Sequence, residues 1–221
     1  MSFAIAIDGP AGAGKSTAAR KAAENLNFIY VDTGAMYRTI GLYMLENQIS
    51  ADNEDALKNA LDQIQIELKY KDGVQCMFLN GEDVSGRIRT PEVSAQASVV
   101  AAIPEVREKL LDLQRSMAAS QDVIMDGRDI GTHILPDAEL KIYLTASVEE
   151  RARRRYLELV EKGEECNIED IRKDIADRDY RDMHRETAPL RQAEDAVLLD
   201  TSDMTLDEVV TEITRLAKER M

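Results

Sequence analysis

A glycine-rich turn set between an apolar run and an amphipathic stretch narrows the fold more than anything else in this sequence. Phe3–Asp8 is five apolar residues closing on an aspartate, and it is followed by Gly9-Pro10-Ala11-Gly12-Ala13-Gly14-Lys15-Ser16-Thr17. This is the pattern G-x-x-x-x-G-K-[ST], in the strand-to-helix context it requires. The glycines remove Cβ atoms, so that backbone N–H groups can turn inward around a phosphate. The helix that follows points its positive end at the same anion. Residues 9–17 therefore read as a nucleoside triphosphate cradle, with Lys15 reaching the β- and γ-oxygens and the Ser16 hydroxyl ligating Mg²⁺. Asp126 closes another apolar run and is the natural acidic residue near that metal, directly or through water.

Further apolar runs repeat the theme at Phe28–Asp32, Asp122–Asp126, Leu140–Leu144 and Ala196–Asp200. Near-continuous apolar strands separated by helices predict a parallel sheet covered on both faces. The helical pattern falls at 15–26, 35–48, 53–63, 91–101, 105–119, 148–162, 168–186 and 205–219. Pro91 and Pro104 stand where first-turn prolines belong, and Thr205 with Glu208 fits a capping box. One segment departs from the alternation. Residues 64–71 and 74–80, joined by Asp72-Gly73, read as an antiparallel hairpin outside the main sheet. No repeat, low-complexity tract or long linker interrupts the 221 residues.

Charge excludes some partners and points to others. The net charge of −14 disfavours a protein that grips nucleic acid polymers, which requires an excess of Lys and Arg. Local concentrations of positive charge remain possible, and nine of the 18 arginines lie between Arg151 and Arg191. With Glu149, Glu150 and Glu158 among them, the run reads either as a solvated helix face or as a cationic flap over a phosphate-rich ligand. The two cysteines, Cys76 and Cys166, build neither a disulfide framework nor a zinc site. The N-terminal apolar run is too short for a signal segment or a membrane span. The expectation is a cytoplasmic protein with reduced thiols.

The cradle alone does not name a reaction. The sequence has no guanine-reading N-K-x-D, no L-S-G-G-Q and no Asp-Glu pair on its last apolar strand. These absences favour phosphoryl transfer to a bound acceptor over switching or motor work. On the acceptor side, Thr33 reads as the N-cap of a helix, and Arg38 lies one turn into it. Residues 126–132 set Arg128 and Asp129 between two glycines, as a surface ion pair or as part of a site.

Five segments together resemble the bacterial cytidylate kinases: IDGPAGAGKST at 7–17, DTGAMYR at 32–38, NGEDVSGRIRTPEVS at 80–94, DGRDIGT at 126–132 and RDYRDMHRETAPL at 178–190. The resemblance runs the whole length. It implies the α/β fold of the P-loop nucleoside monophosphate kinases: a five-stranded parallel core with helices on both faces, an acceptor lobe carrying a small antiparallel insertion, and a short helical lid. The corresponding boundaries are a core of 1–34, 120–147 and 187–221, a lobe of 35–119 with its insertion at 64–90, and a lid of 148–186. The implied activity is ATP-dependent phosphorylation of CMP and dCMP with Mg²⁺. By the same resemblance, Asp129 and Ser98 serve the amino edge of cytosine and Arg107 the acceptor edge. Arg38, Arg128 and Arg185 hold the acceptor phosphate, while Asp182 and Arg178 meet the sugar hydroxyls, with Thr33 and Tyr37 nearby. On their own, Ser98 and Arg107 read as helix-surface residues. Lys15, Arg128, Arg185 and the lid residue Arg154 would be the catalytic cations. The expected partners are ATP and CMP or dCMP, with no nucleic acid polymer, no membrane and a monomeric chain. Thr33 stands where some relatives carry Ser and keeps the hydroxyl. The alternatives are a kinase for another small acceptor, such as UMP or a non-nucleotide, and a non-catalytic nucleotide-binding switch.

Overall fold

The computed structural model describes residues 2–71 and 74–221. The chain divides into two compact units, Met1–Tyr30 with Ala118–Met221, and Val31–Met117.

The first unit holds a five-stranded sheet in the order β2-β6-β1-β7-β8, save for Val31 and Asp32 at the end of β2. Its strands are β1 (Ala4–Asp8), β2 (Ile29–Asp32), β6 (Val123–Gly127), β7 (Leu140–Thr145) and β8 (Val197–Asp200). β1 pairs in parallel with β6 on one side and β7 on the other, and β7 pairs in parallel with β8. All five residues of β1 are buried, which is why the strand reads as a continuous apolar run rather than an alternating one. Ile5 and Ile7 lie in one cluster with Ile124, Ile142 and Leu144, covered by α1 (Lys15–Leu26) and α8 (Leu206–Lys218). α1 contributes only alanines to that cluster, Ala18, Ala19, Ala22 and Ala23, so its backbone can lie close to the strands. α8 contributes Val209, Val210, Ile213 and Leu216 and starts with the expected capping box of Thr205 and Glu208. α6 (Val148–Glu161) and α7 (Ile168–His184) pack on one another.

The second unit contains α2 (Thr33–Glu46), α3 (Glu54–Gln63), α4 (Pro91–Val100) and most of α5 (Pro104–Ser120). A separate antiparallel sheet holds β3 (Ile66–Lys71), β4 (Val74–Leu79) and β5 (Glu82–Asp83). The β3–β4 pairing runs in register from Ile66 with Leu79 to Lys71 with Val74. The Asp72-Gly73 turn expected between them lies outside the described residues. α2 and α4 pack together where Gly41 removes a side chain; a Cβ there would lie 3.2 Å from the Ala97 amide nitrogen.

The predicted elements are present within two residues at their ends. Two short ones escaped the sequence patterns: β5, with only two residues, and a single π-turn, Ile130–Ile134. One expectation is corrected. The N-cap of α2 is Asp32, not Thr33: the Asp32 carboxylate accepts from the Ala35 amide at 2.9 Å, and Thr33 is the first helical residue, buried. A carboxylate at that position answers both the first-turn amides and the helix dipole, which a hydroxyl one residue later cannot reach.

Gly9 shows how tightly the turn after β1 is built. Its φ is +149°, and an added Cβ would lie 1.9 Å from the Leu144 carbonyl oxygen of β7. Backbone cannot yield there without unpairing the sheet. Gly9→Ala should lower the unfolding free energy by about 3 kcal/mol or more; urea unfolding of the variant checks this.

Candidate active site

The turn of residues 9–14 delivers the chain to α1 with Gly12 and Gly14 at positive φ. Gly14 is the N-cap and has no side chain to offer, so the first-turn amides of α1 are left to an external acceptor such as a phosphate. The Lys15 ammonium is buried and donates to the Pro10 carbonyl at 2.7 Å. Burial and the neighbouring Arg128 guanidinium push its pKa down to about 7, against the pull of Asp126, Asp182 and Asp8.

Ser16 and Asp126 meet as expected. The Ser16 hydroxyl donates to Asp126 Oδ2 at 2.8 Å, and the Tyr30 hydroxyl donates to Oδ1 at 2.9 Å. Asp126 is thereby held in one orientation beside the cradle. Among the described residues no group of three or more His, Cys, Asp or Glu side chains is arranged to hold a metal. Mg²⁺ does not need one. It keeps several waters and takes one or two protein ligands besides phosphate oxygens, and Ser16 with Asp126 fits that demand.

Beyond β6 the acid–arginine pairs cross over. Arg128 does not pair with its neighbour Asp129. Its Nε donates to Asp182 Oδ2 of α7 at 2.8 Å, while Arg185 Nη2 donates to Asp129 Oδ1 at 3.2 Å. A surface ion pair is excluded by burial: Asp129 is 3% exposed and Asp182 6%. Burial opposes the charged form of Asp182, but Arg128, Arg178 and Arg185 outweigh it and hold the carboxyl below its usual range. Arg178 stands one turn before Asp182 on α7.

The arginines of α6 divide by face, as a period of 3.6 demands. Arg153 and Arg155 are exposed and pair with Glu150 and Glu158 three residues away. Arg151 and Arg154 point to the cradle. Arg151 is buried and donates to the carbonyls of Ala11 and Ala146, both at 2.9 Å, and to Asp179 Oδ2 at 2.6 Å. Arg154 donates to the Thr201 carbonyl at 2.6 Å and borders a cavity of about 230 Å³ with Gly14, Thr17, Thr201 and Met204.

In the second unit, Asp32 does more than cap α2. Its Oδ2 accepts from Arg38 Nη2 at 2.7 Å. Gly34 makes room for the pair, since a Cβ would lie 3.0 Å from Arg38 Nη1. Gln75 of β4 accepts from the Asp32 amide at 2.9 Å. Arg107, in the first turn of α5, is buried; it donates to the Ala101 carbonyl at 3.3 Å, with its guanidinium 5.8 Å from the Tyr37 ring centre. Ser98 is half-buried on α4.

Comparison with known proteins decides the family. Residues 5–219 match the family model described as cytidylate kinase. The chain belongs to the cytidylate kinase family. It is 52% identical over 216 residues to a cytidylate kinase of Lactobacillus johnsonii, covering 98% of this chain and 94% of that one. It is also 52% identical over 212 residues to one from Caldicellulosiruptor saccharolyticus, covering 96% and 94%. A solved structure of an uncharacterized protein from Eubacterium ventriosum covers 100% of both chains with a TM-score of 0.54 at 14% identity, a likeness of fold alone. No helix among the described residues is long and apolar enough to cross a membrane.

Four residues of this cytidylate kinase family member escaped the sequence reading: Asp8, Tyr30, Gln75 and Arg151 as the brace of the cradle. Only Asp8 carried a signal, an aspartate ending the strand before Gly9. Its Oδ1 accepts from the Ile130 amide at 2.8 Å and its Oδ2 from the Gly131 amide at 2.7 Å. Burial raises its pKa to about 7, opposed by those two amides and by Lys15 and reinforced by Asp129. The folded chain therefore binds this proton more tightly than the unfolded chain does, and the stability that Asp8 contributes is lost as pH rises from about 4 to 7. Asp8→Asn has no such titration. The stability of Asp8→Asn minus that of the wild type should rise across this window by up to about 4 kcal/mol, measured by urea unfolding at pH 4, 5, 6, 7 and 8. A pH-independent difference would contradict the assignment.

Proposed function

We propose that the chain transfers the γ-phosphoryl group of ATP to the phosphate of CMP and dCMP, giving ADP and the corresponding diphosphate. One observation carries this reading. The segments that set the family apart from other P-loop proteins, 126–132 and 178–190, form buried acid–arginine pairs in the same compact unit as an intact triphosphate cradle.

Phosphoryl transfer through a loose transition state is mostly positioning and charge neutralisation. The acceptor is a phosphate oxygen already ionised near neutral pH, so no strong general base is needed. Lys15 exchanges the Pro10 carbonyl for phosphate oxygens. Its depressed pKa rises again beside that polyanion, which keeps it charged where charge is used. Arg128 and Arg185 meet the acceptor phosphate, as does Arg38, already oriented by Asp32. Arg154 contributes from the donor side. Ser16, with Asp126 directly or through water, would hold Mg²⁺, which would supply neutralisation of the donor phosphate charge. Residues 35–119 act as the acceptor lobe, and residues 148–186 as a lid that closes to exclude water that would otherwise hydrolyse ATP. In this reading the chain acts as a monomer in the cytoplasm.

Base choice falls to Asp129, Ser98 and Arg107, with Arg178 and Asp182 on the sugar and Thr33 and Tyr37 nearby. Cytosine offers an amino donor where uracil has a carbonyl. Against a carboxylate, that carbonyl sets acceptor against acceptor, and an unpaired buried group costs about 1–3 kcal/mol. CMP should therefore be preferred over UMP by at least about tenfold in kcat/KM.

Two measurements test the reading. Lys15→Ala should lose about 10²–10⁴ in turnover with the fold intact by circular dichroism, read by coupled ADP release over a panel of monophosphates; near-normal turnover would remove the cradle from catalysis. Asp129→Ala should narrow the CMP/UMP ratio, whereas Arg107→Ala should weaken both substrates because both bases keep the O2 acceptor. An unchanged ratio in Asp129→Ala would sink the base assignment, and a preferred acceptor other than CMP would favour the alternative kinase.

A further inference from the structure

Asp129 occupies the N-cap position of the π-turn Ile130–Ile134, yet its side chain makes no capping bond. This is unusual chemistry for an aspartate. At an N-cap its carboxylate ordinarily turns back onto the first amides of its own turn. Here those amides are already taken. Ile130 and Gly131 donate to Asp8, a residue 122 and 123 positions away in sequence, at the end of β1. Asp8 is 5% exposed, and both of its oxygens are committed to backbone. The Asp129 main chain serves the turn, its carbonyl accepting from His133 and Ile134 at 2.9 and 3.2 Å. Its side chain is turned to Arg185 instead.

We infer that Asp8 is the positioning residue for base selection: by capping the π-turn in place of Asp129, it keeps the Asp129 carboxylate turned away from its own backbone and toward the ligand. The inference rests on the reading of Asp129 as the cytosine-edge residue. A buried carboxylate is a costly way to satisfy two amides that a shorter polar side chain at the turn could satisfy locally. The structure uses it where the local side chain has another task. Without Asp8, the Ile130 and Gly131 amides would draw the Asp129 carboxylate, which stands at the N-cap position, back onto its own turn and out of the site.

The test is a double-mutant cycle on base preference. kcat and KM for CMP and for UMP are measured at saturating ATP and magnesium for the wild type, Asp8→Asn, Asp129→Ala and the double variant. Asn keeps the shape of Asp but presents an amide donor to one of the two N–H groups. Asp8→Asn should lower kcat/KM for CMP about tenfold, chiefly through KM, and for UMP less than about threefold, narrowing the ratio by at least about threefold. In the Asp129→Ala background it should narrow the ratio no further. Any effect of Asp8 on Lys15 or on overall stability moves both substrates alike and cancels in the ratio.

A folded Asp8→Asn with the wild-type ratio would overturn the inference, as would equal narrowing in both backgrounds. If Asp129→Ala itself leaves the ratio unchanged, the reading of Asp129 fails first; if Asp129→Ala narrows it and Asp8→Asn does not, only the role of Asp8 fails. Should Asp8→Asn not fold, Asp8→Glu keeps the charge while its extra methylene moves both oxygens off the positions that meet the Ile130 and Gly131 amides. A narrowed ratio there supports the inference, and a wild-type ratio overturns it.

Discussion

Buried charge is what the first unit is organised around. Asp8, Lys15, Asp126, Asp129 and Asp182 are all buried, in β1, α1, β6 and α7 and the turn after β6. A buried ion without a partner costs several kcal/mol even after relaxation. Here each is answered differently: Asp8 by two amides, Asp126 by two hydroxyls, and Asp129 and Asp182 by arginines from α7's end and the β6 turn. The answers given by amides and hydroxyls add no positive charge. The cations Lys15 and Arg128 therefore remain under mutual repulsion, part of the reason that the Lys15 amine is held down. A polyanion arriving at the cradle attracts both cations and outweighs that repulsion. The same arrangement that strains the protein alone becomes favourable when phosphates are present.

This resolves the apparent conflict between a net charge of −14 and anionic substrates. At physiological salt the field of distant charges fades within about 8 Å, so local placement decides. Most arginines near residue 150 are spent on their own helix. Arg153, Arg155 and Arg172 pair with glutamates three residues away on exposed faces, where such pairs stabilise little. Arg151 and Arg154 differ because the helical period turns them to the cradle, where they reach the carbonyls of Ala11 and Thr201 as well as the carboxylates of Asp179 and Glu150.

That division marks the limit of what the sequence discloses. Strand and helix positions were legible because burial writes itself as a period: β1 is apolar throughout, and α8 carries valine, isoleucine and leucine at helical spacing. The cradle was legible because its chemistry needs fixed residue types in a fixed order. Thr33 was misread as a cap because caps are judged from residue type, and Asp32 beside it is an equally good type that looked like the end of a strand. The π-turn has no periodicity to read. Asp8 and Arg151 act on backbone groups brought near only by folding, and a bond to a carbonyl or amide leaves no mark on the partner's identity. Ser98 and Arg107 were found through resemblance alone, since one exposed-looking polar residue on a helix carries no chemical pattern.

The two capping aspartates show what decides whether such a residue serves the fold or a ligand. A carboxylate has about four lone-pair positions on two oxygens. Asp32 divides them, one oxygen to the Ala35 amide and the other to Arg38, and Gly34 removes the Cβ that would crowd the pair. It can do both because its second partner belongs to its own helix and sits at a fixed distance. In the proposed role at the cytosine edge, Asp129 faces a different demand. A ligand's donor arrives along its own direction, and a side chain anchored to its own turn cannot follow. The fold meets that demand by taking the anchor away, placing the acceptor for the turn on a neighbouring strand. An N-cap aspartate that holds its own helix can orient an arginine. One whose capping duty has been moved to another strand can be turned toward a substrate.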